Sequence, residues 1–212
     1  MAATRSVASL PVIHAPLVRG FLPRFASSLL KIAGWTVVLA RPVPMRCVLV
    51  FYPHTSNWDT AFGLCVKFMT GLSIHYAGKD TLFRTPLLGP LLVRWGGVPV
   101  NRRERTGFID EMQAEFARRS EFRLAIAPEG TRARTPFWRS GFYHLARVAA
   151  VPVALGYIDY PRREIGVGAY LDLTGDPAAD MARIRAFYSD KRGRHPAHQG
   201  PVCLRDESVG GA

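Results

Sequence analysis

The sequence of 212 residues has few cysteines and no long apolar run. Its three cysteines, Cys47, Cys65 and Cys203, are too few and too scattered for a disulfide framework or a zinc site. Cys47 and Cys65 lie within apolar runs typical of a protein core, so a reducing compartment is expected. No uncharged run reaches the ~18 apolar residues that a membrane-spanning helix needs. The sequence therefore indicates neither a disulfide-stabilised secreted domain nor a bundle of membrane spans.

Acidic side chains are also scarce, since 16 Asp and Glu residues stand against 28 Lys and Arg residues. The formal net charge of +12 indicates an acidic partner: nucleic acid, an anionic membrane surface or a phosphorylated substrate. Genome composition can produce the same excess. Most of the basic residues are arginines, whose planar guanidinium group binds phosphate through two parallel hydrogen bonds.

Segments typical of strands and of helices alternate along the chain, and the hydrophobic content of 48% excludes disorder over most of it. The predicted strands cover residues 47–52, 73–77, 98–101, 123–127, 151–158 and 166–173. The predicted helices cover residues 57–70, 107–119 and 140–150, with a last helix capped by Asp176. This alternation predicts a single-domain α/β sandwich around a mixed, largely parallel sheet. We expect residues 166–173 at the sheet edge and residues 82–97, with Pro86 and Pro90, in an apolar loop.

The chain is predicted to divide into three parts. Residues 1–40 form an N-terminal amphipathic segment, because residues 17–40 are apolar with Arg19, Arg24 and Lys31 interspersed. Such a helix suits a membrane surface, although an ordinary packed helix explains the pattern almost as well. Its residues expected to enter the interface are Phe21, Leu22, Phe25, Leu29, Leu30 and Ile32. Residues 41–190 form the main domain, and residues 191–212, rich in glycine, proline and charge, form a flexible tail.

A histidine and an aspartate five positions apart follow the first predicted strand. His54 leaves this strand, and Asp59 falls in the first turn of the next helix, where a carboxylate can turn back to hold the imidazole tautomer. Alone, this spacing is weak evidence for a catalytic pair, because His75 and Asp80 share it. His75 lies inside a predicted strand, and we interpret it as a structural histidine.

Two further clusters follow predicted strands. The sequence Ala-Pro-Glu-Gly-Thr-Arg at residues 127–132 combines glycine, a hydroxyl and an arginine, which suits an anion such as phosphate. A turn with a local Glu–Arg ion pair is its structural alternative. The strand at residues 98–101 ends in Arg102 and Arg103, which elsewhere would be a solvated pair.

These blocks together resemble the PlsC-like glycerolphosphate/lysophospholipid acyltransferases, in the order of that family. They are PHTSNWD with His54 and Asp59, GGVPVNR ending in Arg102, EGTR at residues 129–132, and Val151-Pro152-Val153. The matched region runs from about Gly34 to Asp159, well over half of the chain. One departure is Ala133, where the family often has serine. We also expect the extra N-terminal membrane helices of relatives to be reduced or missing.

The resemblance implies that residues 41–190 are an acyltransferase domain with an α/β fold. His54 is then the general base that takes a proton from the acceptor hydroxyl, and Asp59 orients it. The resemblance also implies that the acceptor phosphate is bound by Arg102, Gly130, Thr131 and Arg132, with Glu129 fixing the loop or the arginines. The hydroxyl attacks the thioester of acyl-CoA or acyl-carrier-protein directly, and no metal or other cofactor is expected.

The implied partners are an acyl thioester donor, a phosphorylated lipid acceptor such as 1-acylglycerol-3-phosphate, and an anionic membrane surface. We expect peripheral attachment to the cytoplasmic face of the membrane. A basic nucleic-acid-binding module is an alternative, although no nucleic-acid motif is present and nucleic acid is not expected as a partner. A hydrolase with Ser56 as nucleophile is another, although it lacks a glycine-flanked nucleophile elbow. A non-catalytic lipid-binding protein is the third.

Overall fold

The computed structural model describes residues 12–100 and 105–205. Its strands are β1 (Val12–Ile13), β2 (Thr36–Leu39), β3 (Arg46–Tyr52), β4 (Ile74–Lys79), β5 (Gly97–Val100), β6 (Phe122–Ile126), β7 (Val153–Asp159) and β8 (Glu164–Leu171). Its helices are α1 (Phe21–Ile32), α2 (Asn57–Thr70), α3 (Asp80–Phe83), α4 (Leu88–Arg94), α5 (Arg105–Arg118), α6 (Gly141–Val148) and α7 (Pro177–Tyr188). A short 3₁₀ helix covers Pro196–His198.

The strands form one sheet in the order β1-β2-β8-β7-β3-β6-β4-β5. The β1–β2 and β7–β8 pairs are antiparallel, and the other neighbouring pairs are parallel. The predicted mixed, largely parallel α/β fold is therefore confirmed. The edge position expected for residues 166–173 is wrong, because β2 pairs with the far side of β8.

Strand β3 lies in the middle of the sheet, between β7 and β6. Its run of apolar side chains is buried almost throughout, as a strand covered on both faces requires. Because β3, β6 and β7 are parallel, the segments that follow them meet at one edge of the sheet. That edge carries the predicted catalytic and loop residues.

The N-terminal segment contains a surface helix and a core strand. Helix α1 packs against α2 through Ala26, Ser27 and Leu30, which are buried. The expectation that Leu30 enters a membrane interface is therefore wrong. Residues 36–39 are β2, a strand with three consecutive buried residues that pairs with β8, and not part of an amphipathic helix. Successive β-branched residues favour this extended conformation.

The predicted loop at residues 82–97 instead contains helices α3 and α4. Pro90 falls in the first turn of α4, where a missing backbone N–H costs nothing because that group has no intrahelical partner. The proline therefore does not break the helix. Leu87, between the two helices, has a φ of 65°.

The C-terminal residues 191–205 pack on the domain, in contrast to the flexible tail that their composition suggests. The phenol of Tyr52 donates a 2.7 Å hydrogen bond to the carbonyl of Gly200, and Leu204 forms a bridge with Trp138. We call residues 192–200 the strap. Glycine and proline prevent a long regular element here, but the backbone polar groups find partners in the domain. The rest of the predicted tail, residues 206–212, lies outside the described residues.

Candidate active site

The loop between β3 and α2 carries the predicted catalytic pair. Ser56 caps α2, and its Oγ accepts a hydrogen bond from the backbone N–H of Trp58 at 3.3 Å. Asp59 completes the capping box by accepting a hydrogen bond from the backbone N–H of Ser56 at 2.8 Å. Satisfying the first N–H groups of the helix thus also turns the Asp59 carboxylate back toward His54.

The Asp59 side chain is fully buried and surrounded by donors. Its Oδ2 also accepts from the backbone N–H of Thr55 at 2.8 Å, and its Oδ1 accepts from the phenol of Tyr160 at 2.7 Å. Burial alone would raise the pKa of Asp59, but the side-chain and backbone donors outweigh burial and hold the pKa below its usual value. The carboxylate is therefore ionised at neutral pH in spite of its burial.

The imidazole of His54 faces this carboxylate. His54 Nδ1 is buried and lies 3.3 Å from Asp59 Oδ2, a separation longer than an ideal hydrogen bond. Catalytic hydrogen bonds are often long before substrate binds. With Nδ1 directed at the carboxylate, Nε2 on the opposite side of the ring is the nitrogen that can meet a substrate. The predicted pair is thus brought together.

Tyr160 is a site residue that the sequence interpretation missed. It directly follows β7, as His54 follows β3, and the two strands are parallel neighbours with Tyr52 opposite Tyr157. This placement after a neighbouring strand is the only signal that could have found it. The contact spans 101 positions, so no local spacing marks it.

Glu129 holds backbone groups of two other segments. Its Oε2 accepts from the backbone N–H of His54 at 3.1 Å, and its Oε1 accepts from the backbone N–H of Gly200 at 3.1 Å. Burial raises the pKa of Glu129 to about 7; the two N–H donors oppose this effect, and the Asp59 charge adds to it. The resemblance leaves open whether Glu129 fixes the loop or the arginines, and these two backbone contacts agree with fixing the loop.

The other predicted phosphate-binding residues lie on the loop after β6 or outside the described residues. Gly130 has a φ of 66°, and a Cβ there would lie 2.7 Å from Arg139 Nε, so a larger residue would be strained at this position. Thr131 Oγ1 accepts from the backbone N–H of Ala133 at 3.2 Å, and Arg132 is exposed. Arg102 lies outside the described residues.

An apolar cavity of about 160 Å³ opens beside the pair, between α2 and the sheet. His54 and Asp59 lie in its wall, and most of the remaining lining is apolar, represented by Phe51, Ile126 and Ile165. The polar residues Thr60, Lys67 and Tyr76 also line the cavity. The cavity is therefore a mainly apolar space next to the His54–Asp59 pair.

The second His–Asp spacing does not form a pair. His75 Nε2 lies 3.2 Å from Arg119 Nη1 and its ring packs on Phe122, whereas Asp80 forms an ion pair with Arg84 at 3.1 Å. Because arginine only donates, Nε2 accepts the hydrogen bond and the ring is neutral. Burial, with the Arg119 charge, lowers the pKa of His75. These contacts agree with the interpretation of His75 as a structural residue.

Within the described ranges, no three His, Cys, Asp or Glu side chains gather as a metal site would require. In the same ranges, no helix is both long enough and apolar enough to cross a bilayer.

Comparisons with known proteins identify a family and a similar fold. The sequence model of the family described as Acyltransferase matches residues 36–158, more than half of the chain. No curated protein matches the chain. The fold is similar to the crystal structure of the 1-acyl-sn-glycerophosphate (LPA) acyltransferase PlsC from Thermotoga maritima, with a TM-score of 0.53 and 14% sequence identity. That match covers 78% of this chain and 74% of the other.

Proposed function

This chain belongs to the acyltransferase family, and we propose that it moves a fatty acyl group from an acyl thioester to a hydroxyl of a lysophospholipid such as 1-acylglycerol-3-phosphate. The observation that carries this proposal is the position of the His54–Asp59 pair at the wall of an apolar cavity. A base beside an apolar cavity suits a reaction in which a hydroxyl attacks a fatty acyl carbonyl. The similar fold of a 1-acyl-sn-glycerophosphate acyltransferase gives further support.

The proposed reaction proceeds by direct transfer. His54 Nε2 takes the proton of the acceptor hydroxyl while the hydroxyl oxygen attacks the thioester carbonyl carbon. The resulting tetrahedral intermediate collapses, the carbon–sulfur bond breaks, and the imidazolium returns the proton to the leaving thiolate. The ionised Asp59 stabilises the imidazolium formed between these steps and fixes its tautomer. The donor is acyl-CoA or acyl-carrier-protein, and neither a metal nor another cofactor takes part.

Arg132 and Arg102 are proposed to bind the phosphate of the acceptor. Arg132 is exposed, and it lies on the same loop as Glu129, which accepts a hydrogen bond from the His54 backbone. Arg132 follows Glu129 by three positions in the sequence. Arg102 follows β5 by two residues, and β5 belongs to the parallel part of the sheet with β4 and β6. The parallel strands β5 and β6 end at the same edge of the sheet, which favours a common phosphate site.

The cavity is proposed to hold the fatty acyl chain. Most of its lining is apolar, which suits a hydrocarbon chain, and burial of each methylene group contributes about 0.8 kcal/mol to binding. Gly63 on α2 lines the cavity, and a Cβ built there meets no atom within 4 Å. A larger side chain at this position would therefore occupy the space available to the acyl chain.

Peripheral membrane attachment is proposed through α1 and through the α3–α4 hairpin (residues 80–94). The exposed apolar residues of α1 are Phe21, Leu22, Phe25, Leu29 and Ile32, and those of the hairpin are Leu82, Leu87, Leu88, Leu91 and Val93. Large apolar side chains on a surface mark a contact with lipid or protein. The cytoplasmic face remains our prediction from sequence.

Lysines and arginines flank both apolar surfaces: Arg19, Arg24 and Lys31 around α1, and Lys79, Arg84 and Arg94 around the hairpin. Each such charge near an anionic bilayer contributes about 1 kcal/mol. Anionic lipid is therefore the partner that fits these surfaces best.

Of the alternatives, a hydrolase with Ser56 as nucleophile is disfavoured. The Ser56 hydroxyl caps α2 by accepting from the backbone N–H of Trp58, and His54 Nδ1 faces Asp59. Incubation with labelled acyl-CoA and 1-acylglycerol-3-phosphate, with products identified by mass, tests the proposal. Diacylated phospholipid formed only when both substrates are present supports it, whereas free fatty acid formed regardless of the acceptor would indicate a hydrolase.

A further inference from the structure

Beyond the His–Asp pair itself, the structure contains a third side chain directed at the pair. Tyr160 Oη donates a 2.7 Å hydrogen bond to Asp59 Oδ1, the carboxylate oxygen that does not face His54. The backbone N–H donors of Thr55 and Ser56 both bind the other oxygen, Oδ2. The phenol and the loop backbone thus hold the carboxylate from opposite ends.

The Tyr160 side chain is itself held in place from several directions. Its ring packs edge-on against Trp35, with ring centroids 5.0 Å apart, and Trp35 also contacts Phe62 on α2. The Tyr160 backbone N–H donates to the carbonyl of Arg192 in the strap at 3.0 Å. The phenol is therefore preorganised, so little conformational entropy is lost when its hydrogen bond to Asp59 forms.

The protonation states suit this arrangement. Burial, and then the hydrogen bond to the Asp59 carboxylate, raise the pKa of Tyr160 well above its usual value, so the phenol remains a donor. The same hydrogen bond contributes to holding the pKa of Asp59 below its usual value. The charges of Glu129 and Asp59 also act on each other. The charge of Arg194 lowers the pKa of Tyr160, against the larger effect of burial.

We propose that Tyr160 is a positioning residue for catalysis, which fixes the Asp59 carboxylate so that Oδ2 stays directed at His54 Nδ1. The inference rests on the proposed acyl transfer, but its physical core is a hydrogen bond that can be tested without substrate. Without the phenol, Oδ1 loses this donor, and only the two backbone N–H groups on Oδ2 still oppose rotation of the carboxylate away from the imidazole. The fraction of molecules with a correctly oriented base then falls.

The first test compares Tyr160→Phe with the matched control Tyr157→Phe. The control removes a phenol from β7, the strand that Tyr160 follows, where Tyr157 donates to Glu164 Oε2 at 3.2 Å, away from the pair. We expect Tyr160→Phe to lower kcat about tenfold, as loss of a hydrogen bond to a charged group implies. Both KM values and the control's kcat should stay within about twofold. An unchanged kcat, or a change confined to KM, would overturn the proposal.

A double-mutant cycle separates positioning from general destabilisation. If Tyr160 acts through Asp59, Tyr160→Phe should change kcat by less than about twofold on an Asp59→Asn background, because the two effects are coupled. Equal tenfold losses on both backgrounds would show that Tyr160 acts independently of Asp59 and would overturn the proposal.

The second test needs no activity and so is independent of the proposed function. During an acid titration within the folded range, the ¹³C NMR signal of the Asp59 carboxyl group should begin to shift at higher pH in Tyr160→Phe. Wild type and Tyr157→Phe should coincide, because they keep the phenol donor. Three coincident curves would overturn the assigned role. Failure of the wild type to transfer acyl groups would instead reject the proposed function and leave this measurement unaffected.

Discussion

Glu129 Oε2 accepts a 3.1 Å hydrogen bond from the backbone N–H of His54, although 75 positions separate the two residues. The second carboxylate oxygen accepts from the backbone N–H of Gly200 in the strap. A side chain from the Glu-Gly-Thr-Arg block therefore fixes the loop that carries His54. The block connects His54, the strap and the predicted phosphate loop in one hydrogen-bonded unit.

Replacement of Glu129 by Gln should lower kcat by about tenfold or more, because one carboxamide NH₂ must then face a backbone N–H and one hydrogen bond is lost. An unsatisfied buried group costs about 1–3 kcal/mol, so the melting temperature should also fall. Steady-state kinetics and thermal unfolding measure both effects. Glu111→Gln, which neutralises a carboxylate on α5, is the control and should match wild type. A loss confined to acceptor KM in Glu129→Gln would indicate direct substrate binding instead.

The raised pKa of Glu129, about 7 in the folded protein against an ordinary 4.5, also predicts a pH dependence of stability. The folded state binds this proton more tightly than the unfolded state. Its contribution is therefore fully present below about pH 4.5 and is lost as the pH rises through about 7. Denaturant unfolding between pH 5 and about pH 8 should show this decline, of a few kcal/mol at most, in wild type and not in Glu129→Gln. Parallel curves for the two proteins would show that Glu129 titrates normally.

Arg132→Ala should raise the KM for the acceptor far more than the KM for the acyl donor. Truncation of a charge partner of a phosphate costs about 2–5 kcal/mol of binding free energy. Arg132→Lys should restore little of it, because lysine lacks the two-pronged guanidinium geometry. Arg102→Ala and Arg102→Lys should have the same effects as the corresponding Arg132 variants. Arg118→Ala on α5 serves as the control. Unchanged acceptor KM values in both alanine variants would reject the phosphate site.

Gly63→Leu should shift the preferred acyl donor to shorter chains by filling the apolar cavity. Gly107 on α5 also has no atom within 4 Å of a built Cβ but lies outside the cavity, so Gly107→Leu is the matched control. Acyl-CoA donors of graded chain length, compared by kcat/KM, measure the preference. If Gly63→Leu kept the wild-type profile, the acyl chain would lie elsewhere.

Phe21→Ser and Ile32→Ser together should weaken flotation of the protein with anionic liposomes, because these side chains are 83% and 85% exposed on α1. Leu87→Ser, at a side chain 90% exposed, tests the α3–α4 hairpin in the same assay. High salt should remove the electrostatic part of binding and leave the apolar part in wild type. Val148→Ser, which changes an exposed apolar residue on α6, should float like wild type. If the α1 and hairpin variants floated as well as wild type, the membrane contact would lie on another surface.

Much of the fold and the proximity of His54 and Asp59 could be predicted, because their determinants are local. The buried run at residues 47–52 and the helix cap after it are adjacent in sequence, so the position of His54 and Asp59 follows from short-range patterns. Strand β2 was missed because it directly follows an amphipathic helix, and α4 because its proline falls in the tolerated first turn.

The remaining parts of the site depend on contacts between distant residues, which one sequence does not reveal. Tyr160 reaches Asp59 only because β7 and β3 are neighbours in the sheet, and nothing in the composition of its segment indicates that contact. The packing of the strap could not be predicted either. A glycine- and proline-rich sequence has the same composition whether the segment is frayed or packed. Its order comes from individual hydrogen bonds, such as those to Thr55 and Glu129.

The most direct test of the account is acyl transfer by His54→Ala and Asp59→Asn, compared with His75→Ala and Asp80→Asn, the pair with the same spacing. Labelled acyl-CoA and 1-acylglycerol-3-phosphate are the substrates, and circular dichroism checks the fold of each variant. General-base catalysis contributes roughly 10²–10⁴ in rate, so the first two variants should lose at least about a hundredfold while the second two stay within a few-fold of wild type. Retained activity in folded His54→Ala, or an equal loss in His75→Ala, would contradict the assignment of His54 as the base.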